Sequence, residues 1–172
     1  PAQGGSMLNK VVSTLQRAAR DAGYSTLRFN YRGVGASAGS HCLDSGEVDD
    51  AEAALNWLQK QQPDLPVVLL GFSFGGFVVA RLAVRRAVSG TPIDHLVMVA
   101  PAVNRLARNE ELPSTLTLTV IQPEQDEVIS PALVYAWSAD LARDHELLKV
   151  AECGHFFHGK LVELKELVLP RL

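Results

Sequence analysis

The chain has 172 residues, 47% hydrophobic and 20% charged, a balance that fits one globular domain over residues 1–172 and excludes a disordered or low-complexity polymer. Acidic residues outnumber basic ones, 19 to 16, and the net charge of -3 is mixed along the chain, which excludes a basic face for nucleic acid. Two cysteines, Cys42 and Cys153, exclude a disulfide framework and fit a cytoplasmic address, and no apolar run reaches the roughly 18 residues of a membrane span.

Residues 7–22 carry helical apolar spacing and stop at Gly23, a C-cap residue. Residues 26–31 (TLRFNY) read as a strand and lead into the glycine-rich arm RGVGASAG, in which Arg32 is expected to brace the fold. His41 then falls in a surface loop. A helix over 47–61 opens with Glu47, Asp49, Asp50 and Glu52, where carboxylates favour the positive end of the helix dipole. That cluster reads as a solvated helix start rather than a metal site.

Residues 67–71 form the next strand, followed by a helix over 75–87 that carries Arg81, Arg85 and Arg86 late, the favourable place for cations. Further strands are predicted at 96–100, 116–122 and 147–151, and helices at 130–141 and 160–169. Several strands are apolar on both faces, and alternating β and α units predict an α/β fold with a mostly parallel sheet flanked by helices on both faces.

Between the strand at 67–71 and its helix stands GFSFGG, Gly71 to Gly76. G-x-S-x-G at a strand-to-helix junction is the pattern of a nucleophile elbow. The chain turns so sharply that flanking residues must be small, and Ser73 is held above the sheet with its oxygen exposed. The helix N-terminus favours negative charge there, and the Phe74 backbone N–H is the expected oxyanion donor. The phosphate-binding alternative lacks its Lys.

A serine hydroxyl needs a base and an acid that orients the base. Asp126 follows the strand LTLTVIQ, and His155 follows the strand LLKVA, so Ser73, Asp126 and His155 all converge on the C-terminal edge of a parallel sheet. Glu124 and Glu127 compete with Asp126 for the acid role. Tyr31, Phe72 and Phe156 are candidate pocket-lining residues, together with the Phe74 ring. His155 and His158 stand at H-x-x-H spacing without a third ligand, so neither metal nor cofactor is expected. His95 lies at a strand start, away from the site edge, and Cys153 reads as a small packed residue.

GGSMLNKVV (4–12), LRFNYRGVGASAG (27–39), GFSFGG (71–76), QPEQDEVI (122–129) and GHFFHG (154–159) together resemble the α/β-hydrolase superfamily. More narrowly, they are similar to its small lidless hydrolases, related to the dienelactone hydrolase and short-chain serine esterase groups. The resemblance implies that Asp126 is the acid and His155 the catalytic histidine. It also implies a further strand before residue 4, carrying the second oxyanion amide, and so an upstream segment of roughly 25–40 residues, since a sheet gap would strand backbone groups. Pro123-Glu124 replaces the usual Gly-Asp of the acid loop. The interval 101–115 is too short for a cap domain, so an open site is expected.

The resulting expectation is a serine hydrolase acting on a small acyl substrate, an ester or thioester, through an acyl-enzyme. A hydrolase-like protein kept for ligand or partner binding is the alternative of another class. A Ser rather than a Cys at the elbow points to esterase chemistry rather than to that of dienelactone hydrolases.

Overall fold

The computed structural model describes residues 4–42, 45–107 and 112–172. Its regular elements in chain order are α1 (Lys10–Asp21), α2 (Ser45–Gln61), β1 (Val68–Phe72), α3 (Phe74–Val88), β2 (His95–Val99), β3 (Thr117–Pro123), α4 (Pro131–Ala139), β4 (Glu146–Val150) and α5 (Leu161–Val168). The chain divides into two units, Pro1–Leu65 with Gly159–Leu172, and Pro66–His158.

Pro66–His158 holds a four-stranded sheet in the order β1-β2-β3-β4, with every neighbouring pair parallel. Phe72 aligns with Val99, Val99 with Ile121, and Ile121 with Leu148, so the strands finish along one edge. Parallel strands require long crossovers. Here α3 joins β1 to β2 and packs on both, while α4 joins β3 to β4 and contacts β3. Leu96, Val97, Met98 and Val99 of β2 and Leu118, Val120 and Ile121 of β3 are buried, which explains their continuous apolar runs. Full burial of such side chains contributes about 1.5–3 kcal/mol each and centres the core on β2 and β3. The connection from β2 to β3 spans only 100–116, so no cap domain is inserted there; residues 108–111 of its polar stretch lie outside the described residues.

In the other unit, Asn9 starts α1 by accepting the N–H groups of Val11 at 2.8 Å and Val12 at 3.4 Å. The helix stops in a Schellman arrangement: Tyr24 N–H donates to the Ala19 carbonyl, and Gly23 N–H to that of Arg20. Gly23 takes φ 92, which a side chain resists, so the predicted stop is where the helix ends. α1 packs against α5, and Lys165 Nζ meets Asp21 at 2.6 Å.

Three expectations need correction. Residues 26–31 belong to no β ladder among the described residues. A strand exists only through pairing, and β propensity alone supplies no partner. Second, the acidic start of α2 is not simply solvated, because Glu47 is fully buried. Cys42 meets the first turn of α2: the Glu47 carboxylate accepts its N–H at 3.1 Å and its thiol at 3.2 Å. Third, His41 is half-buried rather than at the surface, with Nδ1 4.0 Å from Glu47 Oε1.

The arm residue Arg32 donates its backbone N–H, Nε and Nη2 to Asp50 at 2.7–3.1 Å. Those bonds raise the guanidinium above its ordinary value. Burial pushes the Asp50 carboxyl up, but the Arg32 bonds outweigh it and the carboxyl sits low. Arg32 therefore ties the glycine-rich arm to α2.

Candidate active site

The turn between β1 and α3 is built around close backbone approach. A Cβ on Gly71 would lie 2.5 Å from Val79 Cγ2 and nearer still to the Gly75 carbonyl oxygen. A Cβ on Gly76 would lie 2.9 Å from Pro101. These two glycines let α3 start immediately against β1, and Ser73 between them absorbs the bend. Ser73 takes φ 55 and ψ -118, a conformation that costs on the order of 1–3 kcal/mol. It persists because it is pinned on both sides. Its N–H donates to the Val99 carbonyl at 2.9 Å, and its carbonyl accepts from Gly76 and Ala102. Ala100, Glu152 and Phe157 also have positive φ, and all three follow strand ends on this side of the sheet.

Asp126 lies just beyond β3 and is buried. Its Oδ1 accepts the N–H groups of Val128 at 2.8 Å and Ile129 at 2.7 Å. Its Oδ2 lies 2.8 Å from His155 Nδ1 and accepts from Gln122 Nε2 at 3.2 Å. Burial pushes the Asp126 carboxyl up; the bond to His155 and the Ile129 and Val128 N–H groups outweigh it and leave the carboxyl below its ordinary value. Pro123 and Glu124 do not disturb this arrangement, and Glu124 N–H donates to the Val150 carbonyl at 2.9 Å.

His155 follows β4 and is 2% exposed. An ionised Asp126 offers only acceptors, so the ring proton belongs on Nδ1 and Nε2 is left to accept. Nε2 stands 3.0 Å from Ser73 Oγ. The acid loop and the histidine loop are fastened together at two further points. Gln125 N–H donates to the Cys153 carbonyl at 2.9 Å, and Glu127 Oε2 accepts the His155 backbone N–H at 3.0 Å. That last bond lowers the Glu127 carboxyl.

Of the three carboxylates considered for the acid, Asp126 alone bonds the imidazole. The roles of Gln122 and Glu127 were missed in the sequence. A polar residue ending an apolar strand run was the available signal for Gln122. Glu127 carried none beyond its nearness to Asp126.

Aromatic rings enclose the histidine. The Phe72 centroid is 4.9 Å from that of His155, and Phe156 meets it edge-on at 5.0 Å. Phe156 is 39% exposed, so one ring of this set faces outward. Phe74, the first residue of α3, packs near Phe77 and carries the Arg105 guanidinium 5.4 Å above its ring. Tyr31 belongs to the other unit, where it meets Phe29 edge-on; burial, then Glu47 and Asp50, push its phenol up. His158 lies beside the Phe156 ring. His95, at the opposite end of β2 from the site, bonds Thr119 Oγ1 at 3.1 Å. Cys153 is buried and its thiol donates to the Gly154 carbonyl. Among the described residues, no group of three or more His, Cys, Asp or Glu could hold a metal ion, and no helix is long and apolar enough to cross a membrane.

Comparison with known proteins places this geometry. The family model of the alpha/beta hydrolase fold matches residues 3–117. An uncharacterized protein of Rickettsia prowazekii is 33% identical over 98% of this chain and 73% of its own length. The lysophosphatidylserine lipase of Xenopus tropicalis is 35% identical over 56% of this chain, which spans only 23% of that lipase. Among solved structures, an alpha-beta serine hydrolase homologue from Coxiella burnetii matches with a TM-score of 0.89 at 34% identity, covering 100% of this chain and 80% of that one. A serine hydrolase without a lid from Xanthomonas campestris matches at 0.86 and 37% identity, covering 96% and 73%. With its elbow, its parallel sheet and these relatives, the chain belongs to the α/β-hydrolase family.

Proposed function

We propose that the chain is a serine hydrolase that cleaves a carboxylic ester or thioester of a small acyl substrate through an acyl-enzyme, with Ser73 as nucleophile, His155 as base and Asp126 as orienting acid. The observation that carries this reading is the unbroken hydrogen-bond path from Ser73 Oγ through both nitrogens of His155 to Asp126, starting at a strained elbow.

In this reading Ser73 Oγ attacks the acyl carbon while its proton passes to His155 Nε2. The carbonyl oxygen becomes an oxyanion, met by the Phe74 backbone N–H at the start of α3. Collapse expels the alcohol or thiol, which takes the proton from Nε2. A water then attacks the acyl-serine, its proton going to Nε2 and returning to Ser73 as the acid leaves. Asp126 stays ionised throughout and stabilises the imidazolium. Phe72 and Phe156, packed on the imidazole, line the approach. The name of the frog relative, a lipase, is in keeping with ester chemistry. A cytoplasmic address fits Cys42 and Cys153, which form no disulfide.

Pre-steady-state hydrolysis of a panel of aryl esters and acyl thioesters tests this. We expect a burst stoichiometric with enzyme that vanishes in Ser73→Ala. A folded protein that shows neither burst nor turnover on any member would favour a fold retained for ligand or partner binding.

A further inference from the structure

We infer that Gln122 is a positioning residue of the site: its side-chain amide holds the Asp126 carboxylate in the orientation that meets the His155 ring. This rests on the triad reading above. Gln122 is the penultimate residue of β3 and is wholly buried. Its Nε2 has two hydrogens and two acceptors, the Pro123 carbonyl at 3.1 Å and Asp126 Oδ2 at 3.2 Å. Turned the other way, the amide would set its oxygen against a carbonyl and a carboxylate, so this orientation is dictated by its neighbours.

That orientation leaves Oε1 buried with no hydrogen-bond partner among the described residues. A buried acceptor left unmatched destabilises a fold, and a Met or Leu would fill the same volume without it. The bond to Asp126 gives the amide a role that an apolar side chain of the same volume could not fill. The two carboxylate oxygens are held differently. Oδ1 takes two backbone N–H groups from its own loop, whereas Oδ2, the oxygen nearer Nδ1, has Gln122 as its donor besides the ring. Without Gln122 the carboxylate is anchored at one oxygen and can swing about it, carrying the histidine with it. The titratable groups facing Asp126 are the imidazole and the Glu127 carboxylate.

The test is Gln122→Met in the full chain, read two ways: the rate of Ser73 labelling by a fluorophosphonate, and the proton NMR resonance of His155 Nδ1–H. We expect labelling to slow on the order of tenfold, as small misplacements of reacting groups do, and the Nδ1–H resonance to shift and broaden. Labelling within about twofold of wild type with an unmoved resonance overturns the inference. If wild type itself does not label while the resonance moves in the variant, the hydrolase reading fails and the role of Gln122 toward Asp126 stands. Should the variant not fold, the wild-type Gln122 amide protons decide. Bonded to Asp126 they exchange slowly and shift in Asp126→Asn; fast exchange without a shift overturns the inference.

Discussion

Gly71→Ala separates the elbow from an ordinary turn. The added Cβ would lie 2.5 Å from Val79 Cγ2, 2.7 Å from the Gly75 carbonyl carbon and nearer still to its oxygen. Reaching ordinary contact at 3.4 Å from the 2.5 Å position takes a displacement of 0.9 Å. Much of it must come from backbone at the start of α3, because two of the three nearest atoms are backbone atoms of Gly75. Overpacking of this kind costs about 1–3 kcal/mol. The functional loss should be larger in proportion. The Ser73 Oγ to His155 Nε2 distance is 3.0 Å, and a shift of that size removes the hydrogen bond. A misplacement of about 1 Å in a reacting pair costs on the order of 10²-fold in rate.

Fluorophosphonate labelling rates and urea melts of wild type and Gly71→Ala measure both effects. A Gly71→Ala protein that melts within about 1 kcal/mol of wild type and labels within about threefold would refute the reasoning, since the turn would then have room the structure denies it.

Asp126→Asn should leave the fold intact and lower turnover on the order of 10⁴-fold, because an amide no longer enforces the proton on His155 Nδ1; a variant retaining a tenth of wild-type activity would contradict the assigned role. The Asp126 carboxyl is depressed in the folded chain, so the unfolded chain binds its proton first. Its contribution to stability is complete above the ordinary value of 3.8 and is lost as pH falls through the folded value. Melting temperatures taken from about pH 6 down to about pH 2 should therefore fall less steeply in Asp126→Asn than in wild type; matching slopes would show that Asp126 adds nothing. Asn9→Ala removes the cap of α1 and should cost about 1 kcal/mol in a urea melt with Ser73 labelling unchanged.

What the sequence made legible follows from how local each feature is. The elbow is a local steric requirement, written in Gly71, Ser73 and Gly75, and the sharp turn stands between β1 and α3 as expected. β2 and most of β3 were legible because strands covered on both faces are apolar, as in Val97-Met98-Val99. Residues 26–31 have similar composition without a ladder, because pairing is not a property of the segment itself. The positions of Asp126 and His155 after strand ends were legible, but Glu124 and Glu127 were equal rivals by spacing, and only the family resemblance favoured Asp126. Only side-chain direction separates the three: Asp126 faces the ring, and Glu127 faces the backbone N–H of the same residue. Glu47 misled for the opposite reason, since a carboxylate in a helix's first turn favours the dipole whether or not a loop then buries it. Gln122 matters through the one atom its amide touches beyond its own loop carbonyl, and no periodicity encodes that contact.

The most direct test treats the protein with a fluorophosphonate and locates the adduct by mass spectrometry, with His155→Ala alongside. The account predicts one adduct, on Ser73, formed orders of magnitude more slowly in the variant. An adduct elsewhere, or equal labelling of Ser73 without the imidazole, would contradict it.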